Sequence, residues 1–265
     1  MKPAPKSRLD LLLVSRKLAP SRSKAAAMIM AGEVSADAKL VDKPGTYVRA
    51  DANIALKQKP RYVSRGGLKL EAALETFAIE PAARICADIG ASAGGFTDCL
   101  LQHGAAKVYA IDVGAGLLDY RLRIDSRVKL MENTNARYLQ SLGEAANLVV
   151  IDVSFISLRL ILPAALRLLE PHGDIIALVK PQFEAGRSEV GKGGIIRDAT
   201  IHRRVLRDIA AFAESLRLNP LDVTRSPITG AKGNVEFLIW LRVAGAAEPR
   251  RALQDKIDAL TSAGP

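Results

Sequence analysis

Short, nearly unbroken apolar runs, each closed by a polar or glycine-containing turn, mark the chain from residue 85 onward. Ile85–Ile89, Lys107–Ile111, Leu148–Ile151 and Ile175–Val179 are the clearest. Runs of this length predict strands buried on both faces, because a half-solvated strand alternates apolar with polar residues. The pattern predicts strands near 85–89, 107–112, 127–131, 147–152 and 174–179. Helices are expected over 67–77, 96–103 and 198–218, with two final strands near 221–225 and 234–242. Strands alternating with helices read as a doubly wound, mostly parallel α/β sheet.

The first 58 residues follow another rhythm. Leu9, Leu12 and Leu13 place an apolar stripe on a short helix, with Arg8, Arg16 and Lys17 around it. Pro20-Ser21 breaks the chain, and Ser21 caps a second helix from Arg22 to about Ala31. Val34, Val41 and Val48 suggest short strands, with the turn Lys43-Pro44-Gly45 between the last two. The succession R-L-D-x-L-L, S-R-x-x-A-x-x-x-I-x-x-G-x-V, K-P-G resembles the alpha-L motif, the ribosomal protein S-four-type RNA-binding domain, over about residues 6–52. The resemblance implies phosphate contacts from Arg8, Arg22 and Lys24. Asp37-Ala38 stands where that family commonly has an Asn-Gly turn, so a differently shaped hairpin is expected there. We divide the chain into a small α+β RNA-binding domain (1–58), a basic linker (59–66), an α/β domain (67–248) and a tail (249–265) with a short helix.

Charge sharpens this division. Of the formal +10, residues 1–69 hold fifteen Lys/Arg against five Asp/Glu, while the remainder holds twenty-three of each. The whole excess thus sits in the first quarter, the electrostatic footprint of a nucleic-acid-binding module, with Arg65 extending it through the linker. No apolar run reaches the ~20 residues of a membrane span. The opening MKPAPKSRLD has no apolar signal core, so a cytoplasmic protein that does not engage membranes is expected. Cys86 and Cys99 fall inside the first strand and first helix of the α/β domain and read as reduced core residues. With three scattered histidines, they offer no metal-ligand spacing.

The segment RICADIGASAGGFTD, Arg84 to Asp98, carries the first chemistry. A strand, a small-residue turn and a helix open a nucleotide-cofactor domain, where backbone N–H groups approach a ligand closely. Twenty-two residues after Gly90 comes Asp112, at the tip of the second strand, placed to accept two ribose hydroxyls. Ser92 stands where a dinucleotide loop has its second glycine, which disfavours a pyrophosphate. No GxxxxGK[ST] run is present for a nucleoside triphosphate. The D-x-G-x-x-x-G-G loop suits S-adenosylmethionine, which has no phosphates. Asp88 is placed to hold its amino group, directly or through water. The expected cofactor residues are Asp88, Gly90, Ala91, Ser92, Gly94, Gly95, Phe96 and Asp112, with Asn135 after the third strand flanking the adenine. A cap on the following helix is an equal reading of Asn135. Another doubly wound domain with a small-residue turn remains the alternative at this level.

Ligands in open α/β sheets bind beyond the carboxyl ends of the strands. Asp152 ends the fourth strand, Lys180 ends the fifth, Lys69 lies on the entering helix, and Glu236 lies in the last strand. Methyl transfer to a ribose 2′-hydroxyl needs alignment and help with one proton. A lysine beside a sulfonium and a second lysine can serve once its amine is neutral, with carboxylates fixing it. Amine methylation would call for a D/N-P-P-Y/F loop, where this chain reads Asp152-Val153-Ser154-Phe155. Methylation of a pyrimidine carbon would call for a cysteine near the fourth or fifth strand, where there is none.

These motifs together resemble the TlyA/haemolysin A-like proteins, built from an alpha-L domain and an FtsJ-like (RrmJ-type) ribose methyltransferase domain. The carrying segments are Tyr62 to Leu70 (YVSRGGLKL), the Asp88–Asp98 loop, Asp112-Val113-Gly114, Asp152 to Ser157 (DVSFIS) and Lys180 to Glu184 (KPQFE), within about residues 6–243. The resemblance implies a Rossmann-like fold and S-adenosylmethionine-dependent 2′-O-methylation of cytidines in ribosomal RNA, on ribosomal subunits, with no protein partner evident. It also implies a catalytic tetrad at Lys69, Asp152, Lys180 and Glu236. Lys180 would accept or orient the proton, aided by Asp152 and Glu236, and Lys69 would position the ribose. Leu117 departs from the family's usual glutamine in the run Gly116 to Tyr120. Two other classes stay open: a non-catalytic RNA-binding or ribosome-assembly protein, and a haemolysin-type membrane-active protein.

Overall fold

The computed structural model describes residues 4–57, 60–230, 232–243 and 250–262. The chain divides into two compact units, Met1–Pro60 and Arg61–Pro265.

In the first unit β1 (Lys6–Arg8) leads into α1 (Leu9–Ser15), and α2 (Arg22–Met30) follows. Short strands β2 (Val34–Ala36), β3 (Lys39–Leu40), β4 (Tyr47–Arg49) and β5 (Ile54–Leu56) complete it. β1 pairs with β4, and β2 pairs with both β3 and β5. Leu9, Leu13, Ala25, Ile29 and Val34 form its core. Ser21 Oγ accepts the Lys24 N–H and starts α2 as the sequence suggests. Val41 lies just beyond β3, its N–H bonded to the Val34 carbonyl. Asp37 and Ala38 both take positive φ, 48° and 63°. That is the conformation of the two-residue hairpin turn favoured by Asn-Gly, so the expectation of a differently shaped hairpin is corrected. The Asn53 N–H donated to Asp37 Oδ1 helps hold the turn.

The second unit is a seven-stranded sheet with helices on both faces. In chain order it runs α3 (Gly66–Phe77), β6 (Ile85–Ile89), α4 (Gly95–Gln102), β7 (Lys107–Ile111), α5 (Tyr120–Arg123), β8 (Val128–Met131) and β9 (Ala146–Ile151). There follow α6 (Leu162–Leu168), β10 (Leu169–Val179), α7 (Pro181–Glu184), α8 (Ala199–Ser215), β11 (Leu218–Arg225), β12 (Phe237–Val243) and α9 (Arg250–Ser262). The spatial order is β11-β12-β10-β9-β6-β7-β8, parallel from β10 to β8, with β12 antiparallel to both neighbours.

Alternation along each strand sends successive side chains to opposite faces. Ala87, Ile89, Val149, Ile151, Ile175 and Ala177 pack under α6, α8 and α9. Cys86, Val108, Val150, Ile176 and Leu178 pack under α3 and α4. Both faces are covered, which explains why the strands read as unbroken apolar runs. β10 starts earlier than its apolar run indicates. Leu169 pairs with Ala146, then the register shifts before Asp174, with His172 at φ 68° in the interruption. Of the expected linker, residues 61–66 lie in the second unit, where Tyr62 is buried and donates to Glu71 at 2.9 Å; Lys59 is outside the described residues. In the expected tail, α9 buries Leu253 and Ile257 in the core, while 249 and 263–265 are outside the described residues.

Candidate active site

Four charged residues follow directly on parallel strands: Asp112 after β7, Glu132 after β8, Asp152 after β9 and Lys180 after β10. Glu132 is bonded to Arg123 and lines neither of the two cavities at this edge. β12 runs the other way, with Phe237 opposite Val179, so its beginning lies at this same edge. Glu236 directly precedes that beginning. The edge therefore gathers residues far apart in the chain, and α3 brings Lys69 to them.

They meet as two ion pairs. Lys69 Nζ donates to Glu236 Oε2 at 2.5 Å. Lys180 Nζ is 2.6 Å from Asp152 Oδ1 and donates to Ser154 Oγ at 2.9 Å. Lys69 and Lys180 are each 8% exposed and Glu236 is 3% exposed. Charges so enclosed stand only when paired, and removing one partner strands the other. All four residues, with Ser154, line one cavity of about 690 Å³. Asn234 secures its wall, accepting the Ile196 N–H at 3.0 Å and donating to the Gly194 carbonyl at 2.8 Å.

The glycine loop forms another part of that wall. Gly90, Ala91, Ser92, Gly95 and Phe96 line the cavity. A Cβ on Gly90 would strike the Asp152 carbonyl, and one on Gly95 would strike Ser64 Oγ. A second cavity of about 490 Å³ shares Gly90, Ser92, Asp152, Ser154 and Phe155 and is further lined by Asp112, Leu117, Thr134 and Asn135. Asp112 is fixed by two backbone donors, Ser92 N–H at 2.7 Å and Gly114 N–H at 2.8 Å. Ser92 itself sits at φ 49°. Asn135 caps the turn Ala136–Tyr138, accepting the Arg137 N–H, and also lines this cavity. Gly94, at φ 93°, lines neither cavity; a Cβ there would meet Leu118 and Leu122.

Asp88 lies beneath the loop, fully buried. Thr97 Oγ1 donates to its Oδ2 at 2.6 Å, while Oδ1 has no partner. Burial pushes its carboxyl up to about 7, against the Thr97 hydrogen bond, which favours the ionised form. Burial likewise pushes the Cys86 and Cys99 thiols up to about 12, which makes both poor nucleophiles.

Several participants escaped the sequence reading. Ser154 contacts Lys180. Phe155 is 91% exposed at φ 62° and packs against Phe183, with ring centroids 5.1 Å apart. Glu184 accepts from Ser157 Oγ at 2.6 Å and from the Leu158 N–H at 2.7 Å. The available signal was adjacency, since each sits within four residues of Asp152 or Lys180 or, like Ser157, within five. Arg65 is exposed at the rim of the larger cavity. In the first unit Arg8 and Arg22 both bond to buried Asp10, at 2.9 Å each. The Arg8 guanidinium, seconded by Arg22, holds that carboxyl well below the usual range despite burial. Lys24 is exposed.

Residues 62–243 match the FtsJ-like methyltransferase family. The chain belongs to it. Residues 7–54 match the S4 domain, ahead of the FtsJ-like part. Among relatives, "Putative rRNA methyltransferase YqxC" of Bacillus subtilis is 48% identical, over 95% of this chain and 91% of its own. "16S/23S rRNA (cytidine-2'-O)-methyltransferase TlyA" of Mycobacterium tuberculosis is 43% identical, over 99% of this chain and 100% of its own. Among solved structures, "Putative hemolysin from Streptococcus thermophilus" is 42% identical at a TM-score of 0.73, covering 97% of this chain and 96% of that one. The fold is thus a Rossmann-like methyltransferase sheet accompanied by an S4 domain. Both ion pairs and both cavities lie within the FtsJ-like segment.

Proposed function

We propose that this protein methylates the 2′-hydroxyl of cytidines in ribosomal RNA, using S-adenosylmethionine. The carrying observation is the paired Lys69–Glu236 and Lys180–Asp152 at a cavity that shares its walls with the glycine loop. The ribosomal substrate and the cytidine come from the named activity of the Mycobacterium tuberculosis relative.

The residues fit the cofactor. The unpartnered Asp88 Oδ1 lacks a donor that an amino group would supply, and Gly90 and Gly95 bring bare backbone to the cavity wall. Asp88 and the loop would hold its amino-acid end, and Asp112 and Asn135 its nucleoside. Bound there, S-adenosylmethionine would supply a methyl group already activated on a sulfonium. The protein's own task is the acceptor. Lys180, held by Asp152 and Ser154, orients the 2′-hydroxyl and, acting as the neutral amine, takes its proton to become the ammonium as the oxygen reacts. Lys69, held by Glu236, fixes the ribose and offsets developing negative charge. Phe155 and Phe183 offer aromatic surface at the mouth for a base lifted from its stack. The exposed cations of the S4 domain and Arg65 supply sequence-independent attraction to phosphates.

The decisive experiment maps 2′-O-methyl groups in ribosomal RNA with and without the protein and S-adenosylmethionine. No new methylated cytidine would refute the reading. The haemolysin reading rests on relatives' names; among the described residues no helix is long and apolar enough to cross a membrane. Lysis of erythrocytes by pure protein would revive it.

A further inference from the structure

Glu184 has no part in the scheme above, yet it is bonded to the loop that carries Asp152. It ends α7, the helix that begins one residue after Lys180. Its two carboxylate oxygens accept the Ser157 hydroxyl and the Leu158 N–H. Those donors close the far end of segment 152–158. The near end is held by Lys180, through Asp152 and Ser154. The segment is therefore tied at both ends to the corner where β10 turns into α7.

Between the two ties stands Phe155, at φ 62° with its ring exposed. A bulky side chain in the left-handed region persists only where its surroundings over-determine it. Two charge-assisted hydrogen bonds to a half-buried carboxylate are such a constraint. Burial raises the carboxyl of Glu184, while the Ser157 and Leu158 bonds and the charge of Arg159 favour the ionised form. Arg159 is itself directed toward Asp208 on α8, at 3.6 Å, so it is not the clamp.

We propose that Glu184 is a positioning residue that holds segment 152–158 in register with Lys180, so that Asp152 and Ser154 fix the lysine amine. The proposal rests on the reading that Lys180 handles the 2′-hydroxyl. The competing account is that Glu184 only satisfies backbone and hydroxyl donors at the turn Leu158–Leu160, where its loss would lower stability alone.

The test is steady-state methylation of ribosomal RNA by the full chain, with labelled S-adenosylmethionine, for wild type, Glu184→Ala, Glu184→Gln and Ser157→Ala. Cofactor affinity and thermal stability are measured in parallel. We expect Glu184→Ala to lower kcat by about 10–10²-fold, the scale of a misplaced reacting group, with KM for RNA and cofactor affinity near wild type. Glu184→Gln keeps an acceptor for the Leu158 N–H and can exchange hydrogen-bond roles with the Ser157 hydroxyl, so it should recover most of kcat. Ser157→Ala should fall between. Unchanged kcat in Glu184→Ala, a loss carried by KM or cofactor affinity, or a Gln variant no better than Ala would each overturn the proposal. Should Glu184→Ala fail to fold, Ser157→Ala decides alone: lowered kcat at constant KM supports it and unchanged kcat overturns it. A wild-type protein that transfers no methyl group would instead overturn the functional reading, and shows before any variant is compared.

Discussion

Asp88 sets up a pH dependence that its neutral isostere should erase. Its carboxyl is pushed up to about 7 in the folded chain, first by burial, against an ordinary value of 3.8. An acid whose folded pKa is raised adds stability that is complete below the unfolded pKa and is lost as pH rises through the folded one. The native state must carry an ion with one oxygen partnered by Thr97 and the other by nothing. Three units at ~1.4 kcal/mol each make the full loss ~4 kcal/mol, more than half of it between about pH 5 and pH 9. Asp88→Asn keeps an acceptor for Thr97 and carries no charge. Cofactor-free wild type and variant would be unfolded in urea at several pH values across that range. The variant should gain on wild type by a few kcal/mol as pH rises, while the acid limb brings the two together. A difference that stays flat from pH 5 to pH 9 would refute the buried-charge argument.

Three other outcomes follow from the same geometry. Lys180→Ala should cost ~10²–10⁴ in methylation rate with cofactor affinity near wild type, and Lys180→Arg should fail too, since a guanidinium does not give up its proton; an active Arg variant in the labelled-methyl assay would leave Lys180 only an electrostatic role. Asp112→Ala should weaken S-adenosylmethionine by ~1–3 kcal/mol, and calorimetry showing unchanged affinity would remove it from the site. RNA affinity should fall steeply with salt, and Lys24→Ala should weaken all sequences alike while lowering the salt slope by about one; filter binding across a salt series reads both, and an unchanged slope would take Lys24 off the RNA.

Much of this arrangement was legible because it is local. Apolar runs locate the parallel strands, and a charge closing such a run announces a strand end, which is why Asp112, Asp152 and Lys180 stand out. Glu236 is different. Nothing in the sequence around it says that β12 runs antiparallel, and only that reversal puts its first residues beside Val179. The β10 interruption was hidden because Glu170-Pro171-His172-Gly173 reads as a turn, although Leu169 already pairs with Ala146. Ser154, Phe155 and Glu184 stood in quoted motifs without roles, since their partners depend on how one loop folds back on another. The reach of Arg8 and Arg22 to Asp10 was hidden in the same way. It directs two expected phosphate contacts partly inward and leaves Lys24 the more open cation.

The two lysine–carboxylate pairs also bear on why the site is built as it is. An enclosed ion pair is a weak device for stability, because apolar residues of similar volume often do as well or better. This sheet has no shortage of apolar packing, with both faces filled around the strands that bear the charges. Stability alone therefore gives no reason to place Lys69 with Glu236 and Lys180 with Asp152 at one rim. What the pairs provide is two amines, each held by a carboxylate, at the lining of one shared cavity. The glycine loop lines the same space with small residues, Gly90 to Ala93 and Gly95, and the unpaired oxygen of Asp88 is buried at the strand that leads into it. Fixed donors and close-lying loop backbone come together at the cavity where a sugar hydroxyl and a methyl donor would have to meet, which is the physical content of reading this rim as a methyl-transfer site.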